Sequence, residues 1–284
     1  MLLKTFKILV SIALIIGLGH LYYQYTGNFR TDDILRADDQ LLSFPELDKS
    51  EAEDIQRRMD QTFHYVGHGH QTYVFIGDDG ETMLKLFMKN YVRSDWVRYL
   101  FPPLPPLRKW MLHTGENHRF RQQRLLNGYA LCYARDKDNC GLLYFHVDQE
   151  VPVSSIRVVD AFGFSHDIPS DQAVFALQRK AVITKVVLHD LLSKGDTEGA
   201  CEAVHKILSL YREQFEKGLV DRDRNFLENT GFVDGRPIRT DVGKVVLNDG
   251  SYTLEYEYGK IIDKRLSKWI KKHFPDLKEI LLNS

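Results

Sequence analysis

Residues 62–87 carry the pattern that most restricts how this chain can fold. Phe63-His64-Tyr65-Val66 and Thr72-Tyr73-Val74-Phe75-Ile76 are β-branched and aromatic runs, divided by Gly67-His68-Gly69-His70-Gln71. Such residues suit a pleated surface, and the glycines between them permit a sharp reversal. Asp78-Asp79-Gly80 gives a second tight turn, and Thr82-Met83-Leu84-Lys85-Leu86-Phe87 reads as a third strand. Consecutive strands joined by short turns form an antiparallel meander. This one carries a lysine inside its last strand.

The rest of the chain changes character. Ser50-Glu51-Ala52-Glu53 opens a helix running to about Gln61, with Ser50 as N-cap and Glu53 completing a capping box. Pro102-Pro103-Leu104-Pro105-Pro106 is a stiff extended break, and a helix follows over about 114–135. Strands are expected at 142–147, 156–160 and 173–177, with a hairpin around Gly163. Two helices broken at Gly195 fill 183–217. A loop-rich stretch follows from Gly218, with short strands near 231–233 and 237–240, and 260–282 reads as helix interrupted by Pro275. Strands first and helices later describe an α+β chain with a β-rich N-lobe and a mostly helical, small C-lobe.

Composition narrows the partners. The formal net charge is −1 and no long basic stretch occurs, which argues against nucleic acid. Cys132, Cys140 and Cys201 are too few and too widely spaced for a disulfide framework. They read as unpaired thiols, with a Cys132–Cys140 bridge open to a chain in an oxidising space.

The N-terminus reads as a membrane segment. Lys4 and Lys7 precede an apolar run from Ile8 to Gly19, closed by His20-Leu21-Tyr22-Tyr23. Residues 1–23 are either a single-pass anchor or, cleaved near Gly17-Leu18-Gly19, a signal peptide; the anchor is favoured. As a helix the run from Ile8 to Tyr23 rises about 24 Å, short of a full hydrocarbon core of about 30 Å. Residues 24–61 are a polar spacer with short helical pieces, 62–182 the N-lobe and 183–284 the C-lobe.

Three places carry chemistry. Gly67-x-Gly69-x-x-Thr72 between two strands lets backbone approach a polyphosphate. Lys85, within an apolar strand just after that turn, offers an amine to phosphate. Asp221-Arg222-Asp223-Arg224-Asn225 and, further on, Asp241-Val242-Gly243 bring carboxylates and an amide into neighbouring loops. Oxygen donors of this kind hold Mg²⁺, and a carboxylate can orient the nucleophile of a phosphoryl transfer.

Together these features resemble the protein-kinase-like superfamily over about residues 62–260. The resemblance implies a two-lobed fold and an ATP- and Mg²⁺-dependent phosphotransferase, or a relative that binds nucleotide without catalysis. It implies that Gly67, Gly69 and Thr72 cover the ATP phosphates and that Lys85 pairs with the α- and β-phosphates. Leu177-Gln178-Arg179-Lys180 would be the hinge that meets adenine, Asp221 or its rival Asp223 the catalytic base, and Asn225 and Asp241 the Mg²⁺ ligands. The family separates its aspartate and asparagine by five positions, whereas Asp221 and Asn225 are four apart. Leu219-Val220 stand where the family has His-Arg, and only 41 residues follow Gly243. That leaves no room for a large peptide-binding lobe, so the resemblance is to compact or small-molecule kinases. The phosphoryl acceptor is not indicated.

Overall fold

The computed structural model describes residues 4–7, 10–12, 14–15, 17–18, 29–36, 48–69, 71–89, 105–147, 154–223, 225–259 and 265–275, with the side chains of 120 onward in the long helix that begins at 105. The expected spacer over 37–47, most of the expected leader, His70 and the end of the C-terminal helix lie outside the described residues. Among the described residues no helix is long and apolar enough to cross a membrane.

The architecture is α+β. The strands are β1 (Thr62–His68), β2 (Thr72–Gly77), β3 (Thr82–Phe87), β4 (Leu142–His146), β5 (Ser155–Val159), β6 (Ser165–Pro169), β7 (Phe175–Arg179), β8 (Val182–Ile183), β9 (Leu219–Asp221), β10 (Thr230–Val233), β11 (Arg236–Arg239) and β12 (Val245–Leu247). The helices are α1 (Lys49–Met59), α2 (Pro105–Asp136), α3 (Thr184–Ser193), α4 (Thr197–Glu216), α5 (Phe226–Asn229), α6 (Leu254–Gly259) and α7 (Ser267–His273). Seven strands form one sheet in the order β4-β7-β3-β2-β1-β5-β6; β11-β10-β8 and β12-β9 form two small ones. The chain divides into two compact units, residues 1–91 with 146–176 and residues 92–145 with 177–284.

The first unit is organised by the meander. Tyr73 faces Leu86 and Phe75 faces Leu84 across β2 and β3. All four are buried, so this side of the sheet is core. Residues 29–35 cover it: Phe29, Ile34 and Leu35 are buried, the Leu35 N–H donates to the Phe87 carbonyl at 2.7 Å, and the Val174 N–H donates to the Leu35 carbonyl at 2.9 Å. The alternate residues Val74, Ile76, Met83 and Lys85 form a half-buried face. This is the period-2 alternation that the sequence carries.

Three local expectations change. Helix α1 is capped by Asp48, not Ser50: Asp48 Oδ1 accepts the Glu51 N–H at 2.8 Å, and the Ser50 hydroxyl donates to that same oxygen at 2.9 Å. Pro105 and Pro106, expected to be extended, instead start α2; proline fits a first helical turn, where its missing N–H has no partner to lose. Strand β6, Ser165-His166-Asp167-Ile168-Pro169, is too polar to announce itself. It forms as the edge partner of β5.

The second unit packs α3, α4, α5 and α7 around Leu188, Ala203, Ile207, Phe226, Trp269 and Ile270. Gly195, at φ 78, makes the turn between α3 and α4. Asp234 and Gly235, at φ 51 and 75, make the β10–β11 hairpin turn, where left-handed backbone is needed at both positions. None of the three cysteines forms a disulfide among the described residues, and Cys132 and Cys140 are buried. Burial pushes the Cys140 thiol up and the adjacent Cys132 adds to this, which keeps Cys140 in its inert, protonated form.

Candidate functional site

In the first unit, Gly67 pairs with Val74 across β1 and β2, and Val74 pairs with Lys85 across β2 and β3. Directly opposed residues share a face, so these three form one row on the half-buried side. A bulge between Tyr65 and Gly67 brings the glycine into that register. A side chain at Gly67 would meet nothing within 4 Å. The backbone at the Gly67 end of the row is therefore open to a ligand. Gly69 plays a different part: its N–H donates to the Thr72 carbonyl at 2.8 Å and closes the turn.

The second unit holds the carboxylates. Strand β9 ends at Asp221, which pairs with Val245 of β12. Asp221 is buried, with its side chain only 1% exposed, and its carboxylate forms an ion pair with the equally buried Arg239. Its other oxygen accepts the Asp223 N–H at 2.8 Å. Asp221 thus ties the following loop to the strand and does not face solvent.

Asp223 is the more open of the two, its side chain 26% exposed, and Lys244 donates to it at 2.7 Å. Burial pushes the Asp223 carboxyl up, but Lys244, with help from Asn229 and Arg265, outweighs it and holds the group below the usual aspartate value. It is therefore ionised at neutral pH.

Asn225 stands at the start of α5, where its amide donates to Glu228 at 2.9 Å. The asparagine that joins the loops is Asn229. It directly precedes β10, its carbonyl accepts the N–H groups of Thr240 (2.8 Å) and Asp241 (3.3 Å), and its side chain lies beside Asp223. It is 8% exposed, and its buried Nδ2 makes no hydrogen bond of normal geometry with the described residues. Asp241 follows β11 and is exposed. Its Oδ1 accepts the Gly243 N–H at 3.0 Å. Asn229 thus touches Asp223 through its side chain and the backbone of Asp241 through its carbonyl.

Two supports hold this arrangement. Gly128 of α2 and Gly243 pack tightly: a side chain at Gly128 would strike the Val242 carbonyl oxygen, and one at Gly243 would strike Leu125. The second is a buried polar network below the loops. Arg239 bonds Gln214 as well as Asp221, and lies over the Tyr211 ring at 4.1 Å. Gln214 donates to Asp136 at 2.6 Å, and Lys217 also donates to Asp136. Burial alone would lower the Arg239 pKa, but Tyr211 and Asp221 drive it above its ordinary value, so it stays charged.

Gln178 belongs to this network's rim. It is buried, and its Nε2 donates to the Cys140 carbonyl at 2.6 Å and to the Arg239 carbonyl at 2.9 Å. Its side chain is committed to these bonds, while the unit boundary falls next to it, between Ala176 and Leu177.

The donors around Asn229 are carboxylate and amide oxygens, the set a hard dication such as Mg²⁺ takes. Among the described residues no group of three or more His, Cys, Asp or Glu side chains could hold a metal, so any such ion would draw on asparagine or ligand oxygens.

No protein-family model and no curated protein matches this sequence. Among the solved structures that resemble it in part, two serve as examples. One is WbdD, crystallised with the kinase inhibitor LY294002, at 12% identity and TM-score 0.38, covering 77% of this chain and 44% of that one. The other is Rv3197 from Mycobacterium tuberculosis, in complex with erythromycin, at 16% identity and TM-score 0.37, covering 83% of this chain and 61% of that one. The chain thus spans less than two thirds of either neighbour.

Proposed function

We propose that this chain is a membrane-tethered, kinase-like protein that binds ATP with Mg²⁺ and transfers its terminal phosphoryl group to an acceptor hydroxyl. The observation that carries the reading is Asn229, which touches Asp223 through its side chain and the Asp241 backbone through its carbonyl, at the foot of a hairpin whose second strand leads into Asp241-Val242-Gly243. In this reading Asp223 orients the acceptor hydroxyl and takes its proton. Asp241 and the Asn229 amide oxygen would hold the metal, with Asn225 a further candidate. Within the first unit, Lys85 and the bare backbone of Gly67 are the groups suited to phosphate. Bound Mg²⁺ supplies charge neutralisation on the transferring group. Asp221 acts through Asp223 as a positioning residue. The hinge role of Gln178 would fall to its backbone, since its side chain is already bonded.

A second reading, nucleotide binding without catalysis, is favoured by one observation: Asp223 is paired with Lys244 and Asp221 with Arg239, so both loop carboxylates already have cationic partners.

Melting with and without Mg-ATP separates these. Nucleotide at about a hundredfold excess over Kd stabilises by about 2.7 kcal/mol. The expected result is a raised midpoint that is lost in Asp241→Ala, together with ATP turnover lost in Asp223→Ala. A shift without turnover selects the second reading, and no shift removes both. Co-flotation of the full chain with lipid vesicles tests the tether.

A further inference from the structure

The glycine-turn end of the first unit's sheet carries an apolar surface that nucleotide binding does not explain. Val66 is 58% exposed, Phe162 49% and Phe164 67%. β1 and β5 run parallel with His64 beside Val159. Val66 and the turn that follows β5 therefore lie at one end of the sheet. Phe63 faces Gly77, which puts the Asp78–Gly80 turn at the opposite end. The two phenylalanines are presented by a built turn. Asp160 Oδ1 accepts the N–H groups of Phe162 at 2.9 Å and Phe164 at 3.0 Å, and Oδ2 bonds the His166 ring at 2.8 Å. Gly163 between them sits at φ 88. Clustered apolar exposure of this kind marks an interaction surface.

The N-terminal chain reaches the body close by. The buried Phe29 ring stacks edge-on to Tyr73 at 5.0 Å, Phe75 at 5.2 Å and His166 at 5.4 Å, and His166 is two residues from Phe164. Tyr23 closes the apolar run six positions before Phe29. Extended chain covers at most about 3.6 Å per residue, so about 20 Å separates Phe29 from the end of that run at full stretch. The headgroup layer occupies about 5–8 Å of that distance.

We propose that Val66, Phe162 and Phe164 are a membrane-contact surface, seated at the interface of the same bilayer that holds residues 1–23. This rests on the anchor reading of that segment. The connection is too short to hold the sheet end far from the lipid, and aromatic rings favour the interfacial zone. The hairpin then fixes how the first unit stands on the membrane, where a lone tether would leave it free to swivel.

The test uses the full chain with Cys201→Ser, reconstituted in phosphatidylcholine vesicles containing lipid spin-labelled near the headgroup. A single fluorophore is attached through Phe164→Cys or, at the opposite end of the same sheet, Glu81→Cys. Cys132 and Cys140 are buried and stay unlabelled. The expected result is co-flotation with vesicles and strong quenching at position 164 with little at 81. Failure to co-float overturns the anchor reading and this proposal together. Co-flotation with equal, weak quenching at both positions overturns the contact surface and leaves the anchor standing. A label attached through Val66→Cys provides the second measurement. Its quenching is expected to fall when Phe162→Ser and Phe164→Ser are introduced together, and unchanged quenching would overturn the part assigned to the rings.

Discussion

At the scale of single residues, the chemistry of the second unit depends on a charge that solvent does not reach. Arg239 is 1% exposed and holds Asp221, Gln214 and the Tyr211 ring together. A buried ion pair adds little over a well-packed apolar pair, but removing one partner strands the other, at about 3–5 kcal/mol. Arg239→Met is therefore expected to lower stability by about that much, measured by urea unfolding. Adding Asp221→Asn should recover part of the loss, because the stranded carboxylate is gone; additive losses would show that the two are not coupled. The sequence displayed Asp221 as a catalytic candidate and gave no sign of its partner. The charge that occupies Asp221 lies 18 residues downstream in an ordinary-looking strand, Arg236-Pro237-Ile238-Arg239. Asn229 likewise gives no signal of its own in the sequence. It stands directly before a strand, a position that becomes visible only once the helical turn 226–229 is recognised.

At the scale of elements, sequence pattern worked where strands were long or turns explicit, and failed where pairing made the strand. The β1–β3 meander follows from β-branched runs and glycine turns, and the α3–α4 break from Gly195. By contrast β8, β9 and β12 are two or three residues long, too short for any periodicity, and each forms because a partner backbone lies alongside. The loop that presents Asp241 likewise depends on something pattern does not show, the approach of Val242 and Gly243 to α2 at Gly128. In a free helix Gly→Ala stabilises by about 0.5–1 kcal/mol. At position 128 the added methyl would meet the Val242 backbone oxygen, which has no rotamer by which to escape, so the clash outweighs the propensity gain. Gly128→Ala is expected to lower the melting midpoint and to diminish the Mg-ATP shift. A midpoint at or above that of the parent chain would mean the loop can retreat from the helix without penalty.

At the scale of the whole molecule, electrostatics runs in one direction on the acid side. Among the described residues, every aspartate or glutamate whose pKa is displaced, including Asp54, Asp160 and Asp223, is displaced downward. Among the described residues the largest of these displacements is that of Asp79. Burial pushes its carboxyl up, but the Thr82 hydroxyl, the Thr82 and Glu81 amides and the Gln61 side chain outweigh it and hold it at about 2. These contacts close the β2–β3 turn: the Thr82 N–H donates at 2.8 Å and the Glu81 N–H at 2.9 Å. A depressed folded-state pKa means that the unfolded chain binds protons first as the pH falls. Stability is thus fully present above the ordinary aspartate value of about 3.9 and drains away below it. Urea midpoints are expected to hold steady above about pH 5 and to fall steeply toward pH 2. Asp79→Asn isolates one contributor: its deficit relative to the parent chain should be largest above about pH 4 and shrink as the pH approaches 2, where the parent carboxylate is itself protonated. A deficit that stays constant across that range would assign the turn's stability to its backbone geometry and not to the ionised Asp79.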